Sequence, residues 1–335
     1  MAVDFHAHLA REDPEAPKFM AQLFDVDGYL ERQADAGIDR TLLSYALSEP
    51  TGADDELDRA KGEHEFLGGL IEQHGDNLGA FAGVDVFAGG PWLEEASRAL
   101  DAGFAGLCFP TSRQGRYLDA PETQDAFALA NERKALVFLH PSDSPFPTER
   151  AGDGALREWI GRPSDTGVCL SRLLLADTLS RYPDVRMVVA HSGGTAPMLL
   201  GRLDYVYEGF QRRAAMRAKK GGPGGPPGGG GPPGGGPPKG VPKALTPGEG
   251  GLEASTEGAM PAQRIGQLYL DTASYHPASI RAAIDVVGID RMVLGTDHPP
   301  AGDSPKPVIA LLQQMDLADG ERKAIFSGNA EELLS

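Results

Sequence analysis

The chain has 335 residues, of which 41% are hydrophobic, with a net charge of −17 and two cysteines. That is enough apolar material for a sizeable core, as one large domain or two ordinary ones. The acidic balance excludes nucleic acid and an anionic membrane surface as partners, the cysteine count excludes a disulfide framework, and no apolar run approaches the roughly 20 residues that cross a bilayer.

Taken in chain order, short apolar runs alternate with helical patterns. The first run, VDFHAHL, begins two residues after the start methionine, with neither a basic segment nor a long apolar stretch before it. It is therefore read as the start of a cytoplasmic domain and not as a signal peptide. Candidate strands follow at residues 3–5, 41–45, 79–84, 104–109, 136–139, 187–190, 268–271 and 292–295. Several, such as ALVFL and RMVVA, are continuously apolar, as strands buried on both faces of a parallel sheet are. Helical patterns lie between them at residues 27–37, 55–75, 91–103, 123–134, 169–183 and 277–288, many ending at Gly or Pro. Eight strands each followed by a helix predict an α/β fold of the (β/α)8 TIM-barrel class, with some distortion allowed, over residues 1–335 as a single domain. No GxGxxG follows an early strand, which argues against a dinucleotide fold. Residues 221–240 comprise 12 glycines, 7 prolines and one lysine. Such a tract cannot build a core, so residues 219–243 are expected as a flexible insertion after the sixth strand and its helix.

Active sites of such barrels sit at the carboxyl ends of the strands. Strand 1 ends in His6 and His8, strand 5 in His140, strand 6 in His191, and strand 8 in Asp297 and His298. Five of the chain's eight histidines thus fall on one expected face. Residues i and i+2 of a strand point the same way, so His6 and His8 can reach one ion. With His140 and Asp297 they make three nitrogen donors and one carboxylate, a set suited to one divalent zinc, manganese or iron ion, a second metal being left open. His64 and His74 are read as solvated, and His276 at the start of a helix is left undecided. Cys108 is read as a packing residue, and the glycines of HSGG as allowing close backbone approach. His298, next to a ligand, is expected on the other face, supporting or packing.

The segments DFHAHL, FLHP, VAHSGGTAPMLLGRLD, LYLDTASYHPASIRAAIDVVGIDRMVLGTDHP and FSGNAEELL resemble the amidohydrolase superfamily. More narrowly they resemble the branch that holds 2-amino-3-carboxymuconate-6-semialdehyde, γ-resorcylate and isoorotate decarboxylases. The resemblance covers nearly the whole chain outside the Gly/Pro tract. It implies a metal-dependent decarboxylase in which His6, His8, His140 and Asp297 are the metal ligands and His191 does acid/base work. Arg202, in GRLD, matches an arginine that reaches a neighbouring subunit and holds a substrate carboxylate, which implies a homodimer acting on a small carboxylic acid. The loop after strand 1 is shorter than in some relatives, and Arg11 and Lys18 are only weak substitutes for a second substrate-binding arginine found there.

On this reading the substrate loses CO2 without an organic cofactor, and Asp297 or His191 supplies the proton to the carbon left behind. The same ligands would serve a hydrolase, lactonase or hydratase that uses a metal-bound water. A dinuclear iron or iron–manganese oxygenase would need more donors, for which His191, His298 and His276 are the candidates, with Asp85, Cys108 or Glu49 as the bridging group. A scaffold protein using the Gly/Pro tract for docking would have no need of an open ligand set.

Overall fold

The computed structural model describes residues 1–14, 16–47, 55–142, 154–219 and 259–335. The Gly/Pro-rich stretch and Glu49 lie outside the described residues. Seven of the expected runs form one parallel sheet in sequential order: β1 Val3–Ala7, β2 Arg40–Ser44, β3 Leu78–Gly83, β4 Gly106–Pro110, β5 Leu136–His140, β6 Arg186–Val189 and β7 Tyr269–Leu270. Their side chains are almost all buried, as a sheet covered on both faces requires. The helices α1 Val26–Asp35, α2 Glu56–His74, α3 Gly90–Asp101, α4 Gln124–Glu132, α5 Arg162–Ala176, α6 Ala196–Lys219 and α7 Pro277–Val287 follow the strands in turn. The architecture is a (β/α)8 barrel.

The eighth stave departs from expectation. Residues 292–298 are not a regular strand, yet they close the barrel on both sides. Val293 N donates to Leu270 O at 2.9 Å, Phe5 N to Leu294 O at 2.8 Å, and Asp297 N to His6 O at 2.7 Å. The segment is irregular because its other donors are taken elsewhere. Leu294 N turns to Ile325 O, Gly295 N to the Thr272 hydroxyl, and Thr296 N to the buried carboxylate of Asp4. Burial pushes Asp4 up to about 6, although Thr296 and the His6 amide bond to its charged form.

Helix α5 also differs from expectation: it starts at Arg162 and stops at Ala176, several residues before the expected pattern. Pro163 suits the first turn, and Asp177 takes a left-handed conformation that ends the helix. Asp165 in its first turn is buried and accepts hydroxyls from Thr111, Ser112 and Tyr117, which ties α5 to the loop after β4.

Two apolar layers hold the barrel. Phe5, Phe81 and Phe138 meet in the smaller, inner cluster, with Phe81 stacked on Phe138 at 5.4 Å between centroids. Cys108 belongs to this cluster and is buried, as a packing residue should be, and its thiol is pushed up by burial. The larger cluster lies between the sheet and the helices and includes Leu43, Val137, Leu139 and Val189 from the strands. Registers keep the strand ends level: Ala7 is opposite Leu43, Pro110 opposite His140, and Val189 opposite Leu270. The residues that follow these positions therefore share one rim. Between Asp4 and Ala7 the register of β1 slips by a residue, a bulge that re-aims its side chains where the histidines stand.

Candidate metal centre

His6, His8, His140, His191 and Asp297 converge on that rim. The rings of His6 lie 5.2 Å from His8, 5.1 Å from His140 and 5.2 Å from His191, and His8 is 5.0 Å from His140. Donor atoms of His6, His140, His191 and Asp297 all fall within 4.8 Å of one another. His8 joins them through Asp297.

The hydrogen bonds behind the rings fix which nitrogens face inward. His6 Nδ1 donates to Asp271 Oδ2 at 2.6 Å, and Asp271 is held in turn by the amides of Ser192 at 2.8 Å and Ala273 at 3.1 Å. His8 Nδ1 lies 3.0 Å from the carbonyl oxygen of Ser44, which can only accept. Each ring therefore carries a proton on Nδ1 and turns Nε2, the atom a cation would take, toward Asp297 Oδ1, at 3.2 Å in both cases. A cation placed there would be shared by these two nitrogens and the carboxylate oxygen. His6 Nε2, His140 Nδ1 and His191 Nδ1 are buried without a hydrogen-bond partner among the described residues. Buried polar nitrogens left this way are costly unless a further group completes them. The donor set thus fits a borderline divalent ion.

The electrostatics agree. Burial opposes charge on His6, yet the carboxylates of Asp297 and Asp271 outweigh it and raise His6 to about 10, so they draw positive charge to His6 Nε2, as a proton or as the cation that displaces it. Burial holds His8 below its ordinary value, and burial with the neighbouring imidazoles holds His140 well below it, which keeps both ready as neutral ligands. Burial alone would push Asp297 up, but His6, His191 and His8 hold it well below the carboxylate range.

The remaining expected residues lie elsewhere. His298 stacks on Tyr29, its Nδ1 is 2.8 Å from Gly302 O, and its Nε2 accepts from Arg32 at 3.2 Å, so both nitrogens are engaged behind the site. His276 caps α7 by accepting from Ala278 N at 3.2 Å and is exposed. Asp85 faces the buried Arg113 and caps Phe87 N. Arg11 is exposed and its backbone amide donates to Glu63 Oε2 on α2 at 3.0 Å. Arg202 is exposed on α6. His64 is not solvated: it is buried, with Nδ1 2.6 Å from Glu95 Oε1, because α2 turns it inward onto α3. Of the HSGG glycines, Gly194 has a φ of +60°, and a Cβ there would collide with Pro163 O in the first turn of α5. Three contributors went unrecognised in the sequence. Asp271 ends strand 7 just as the histidines end theirs, so the same strand-end rule would have found it. Ser44 acts through its backbone, and Tyr275, whose hydroxyl donates to Asp297 Oδ2 at 3.4 Å, carries no local signal.

The amidohydrolase family model matches residues 3–335. The chain is 20% identical over 283 residues to 2-amino-3-carboxymuconate-6-semialdehyde decarboxylase of Dictyostelium discoideum, covering 84% of this chain and 67% of that protein. It is 25% identical over 243 residues to 6-methylsalicylic acid decarboxylase of Penicillium expansum, covering 72% of this chain and 62% of that one. Among solved structures, 5-carboxyvanillate decarboxylase from Sphingomonas paucimobilis superposes with a TM-score of 0.78 at 16% identity, over 99% of this chain and 98% of that chain. A dihydroxybenzoic acid decarboxylase from Polaromonas, solved with bound manganese and the inhibitor 2-nitroresorcinol, superposes at 0.74 with 18% identity, over 99% and 96% of the two chains. With the family pattern running from residue 3 to residue 335 and a histidine–aspartate cluster at the strand ends, the chain belongs to the amidohydrolase family.

Proposed function

We propose that this protein is a metal-dependent lyase that removes CO2, without oxidation, from a small aromatic or unsaturated carboxylic acid. The observation that carries the reading is the pair of Nε2 atoms of His6 and His8 facing Asp297 Oδ1 within a buried imidazole cluster, each ring held from behind through its Nδ1. Decarboxylase names among the relatives and structural neighbours, three of those given above being for hydroxybenzoic-type acids, support the substrate class. His6, His8, His140 and Asp297 would hold one divalent ion, and manganese in a structural neighbour favours manganese over zinc.

When bound, such an ion supplies Lewis acidity, stabilising the negative charge that builds on the substrate as the C–C bond breaks. The chain's own residues do the rest. Asp297 Oδ2 and His191 Nε2 stand 3.3 Å apart, a distance across which a proton is exchanged. This pair is the source of the proton that replaces CO2 on the carbon. Asp271 and the Ser44 carbonyl keep His6 and His8 aimed inward.

Arg202 binds the anionic end of the substrate in this reading, across a homodimer interface. Met198, Leu199, Tyr205 and Val206 are all exposed on α6; Met198, Arg202 and Tyr205 fall at i, i+4 and i+7, with Leu199 and Val206 one residue on from the two ends. An exposed apolar stripe with an arginine in it suits a subunit contact. Both cysteines are free and buried, in keeping with a cytoplasmic setting. No helix among the described residues is long and apolar enough to cross a membrane.

The test is CO2 release by manganese-loaded protein from a panel of hydroxybenzoic and unsaturated dicarboxylic acids, with H2 18O present. Release of 12CO2 with no solvent oxygen in the organic product is the expected result. Turnover that places solvent oxygen in the organic product would replace the reading with hydrolysis.

A further inference from the structure

Asp297 divides its two oxygens between two sets of neighbours. Oδ1 faces Nε2 of His6 and of His8. Oδ2 faces His191 Nε2 at 3.3 Å and accepts from the hydroxyl of Tyr275 at 3.4 Å. The same hydroxyl lies 3.3 Å from Thr296 O, so both of its acceptors belong to the segment that closes the barrel. Of the two, the ionised carboxylate is the stronger acceptor.

The backbone at this point is unusual. Tyr275 has a φ of +54°, in the left-handed region that bulky side chains rarely adopt. Asp297, His191 and Ser192 share that feature, with φ of +53°, +55° and +54°. Strain of this kind gathers where a site is held in place. Tyr275 is 42% exposed, so its conformation brings little core burial in return. What it does bring is a phenol on the distal oxygen of Asp297.

We propose that Tyr275 is a positioning residue. Its hydroxyl, with His191, pins Oδ2 so that Asp297 offers only Oδ1 to a bound cation. The coordination position that a bidentate carboxylate would fill stays open for the substrate. The inference rests on the metal-site reading given above. It assigns a task to a loop residue that touches no expected ligand nitrogen.

Tyr275→Phe keeps the ring and removes the donor. The full-length chain is loaded with cobalt(II) alone, and its visible d–d absorption is recorded without substrate. These bands weaken as coordination number rises, so an Asp297 freed to bind through both oxygens should weaken them by roughly twofold or more, at unchanged cobalt content per chain. In the manganese enzyme, kcat should fall on the order of tenfold while KM stays within about twofold. Should the phenylalanine variant not accumulate, Tyr275→Leu reads the same quantities. An unchanged cobalt spectrum would overturn the proposal whatever kcat does. So would loss of cobalt binding, because Tyr275 would then be building the site and not setting the carboxylate's mode. The spectrum needs no substrate. If the wild-type chain releases no CO2, the decarboxylase reading fails while the spectrum still decides on Tyr275.

Discussion

His6 Nδ1 and Asp271 Oδ2 are 2.6 Å apart, and both side chains are fully buried. The contact joins β1 to the end of β7 across the closing seam of the barrel. It also decides which nitrogen of His6 faces the site. Replacing Asp271 with alanine should therefore lower metal affinity by about 10- to 100-fold, as loss of a carboxylate behind a ligating imidazole does. Titration of metal-free protein with manganese in competition with a chelator measures this. An unchanged affinity would mean that Asp271 is structural only, since Ser192 N and Ala273 N also lose their acceptor.

Metal removal should destabilise the fold as well as abolish activity. In the proposed ligand set the ion would join β1, β5 and the closing segment 292–298, so its loss removes a link between three parts of the barrel. At a hundredfold excess of free ion over Kd, binding contributes about 2.7 kcal/mol to stability. Calorimetry with and without manganese should show a higher Tm for the loaded form. The difference should vanish in the double variant His6→Ala, His8→Ala.

The α6 stripe can be separated from the arginine within it. Tyr205→Glu puts a charge in the middle of the exposed apolar stripe and should convert a dimer to a monomer by light scattering. Arg202→Ala should leave the dimer in place and raise KM by roughly tenfold, through loss of a charge-assisted contact to a carboxylate. A wild-type chain that runs as a monomer at all concentrations would remove both expectations.

The His64–Glu95 pair makes stability depend on pH. Burial, outweighing the pull of Glu95, lowers His64 from its ordinary 6.5, so the unfolded chain binds the proton more readily. Burial would raise Glu95 from 4.5, but Arg98 and His64 outweigh it and lower it. Both groups then stabilise the fold above their unfolded values, and both contributions fade as pH falls, from about 6.5 for His64 and from about 4.5 for Glu95. Denaturant unfolding from pH 8 to pH 4 should show stability falling on the acid side. Glu95→Gln should flatten the lower part of that slope.

The strand and helix order was legible because buried parallel strands read as unbroken apolar runs, and RMVVA or ALVFL can hardly be anything else. The strand-end rule then placed His6, His8, His140, His191 and Asp297 on one rim. The reading of His64 as solvated was wrong. A histidine among charged residues looks solvated, and only the rotation of α2 against α3 turns it onto Glu95. Sequence also misled at the eighth stave, where Met292–Gly295 reads as a strand. There the amides of Gly295 and Thr296 are drawn off by Thr272 and Asp4, partners 23 and 292 residues away.

By itself the sequence determined the barrel, its sequential order and the identity of the five converging side chains, because strand periodicity and strand-end placement are local properties. Only the tertiary structure decided how those side chains are protonated and aimed. The tautomers of His6 and His8 are set by Asp271 and by the Ser44 carbonyl, and the split of Asp297 between its two oxygens by His191 and Tyr275. Each of those partners arrives from another stave of the barrel. A hydrogen bond made on closure has no counterpart in local sequence spacing.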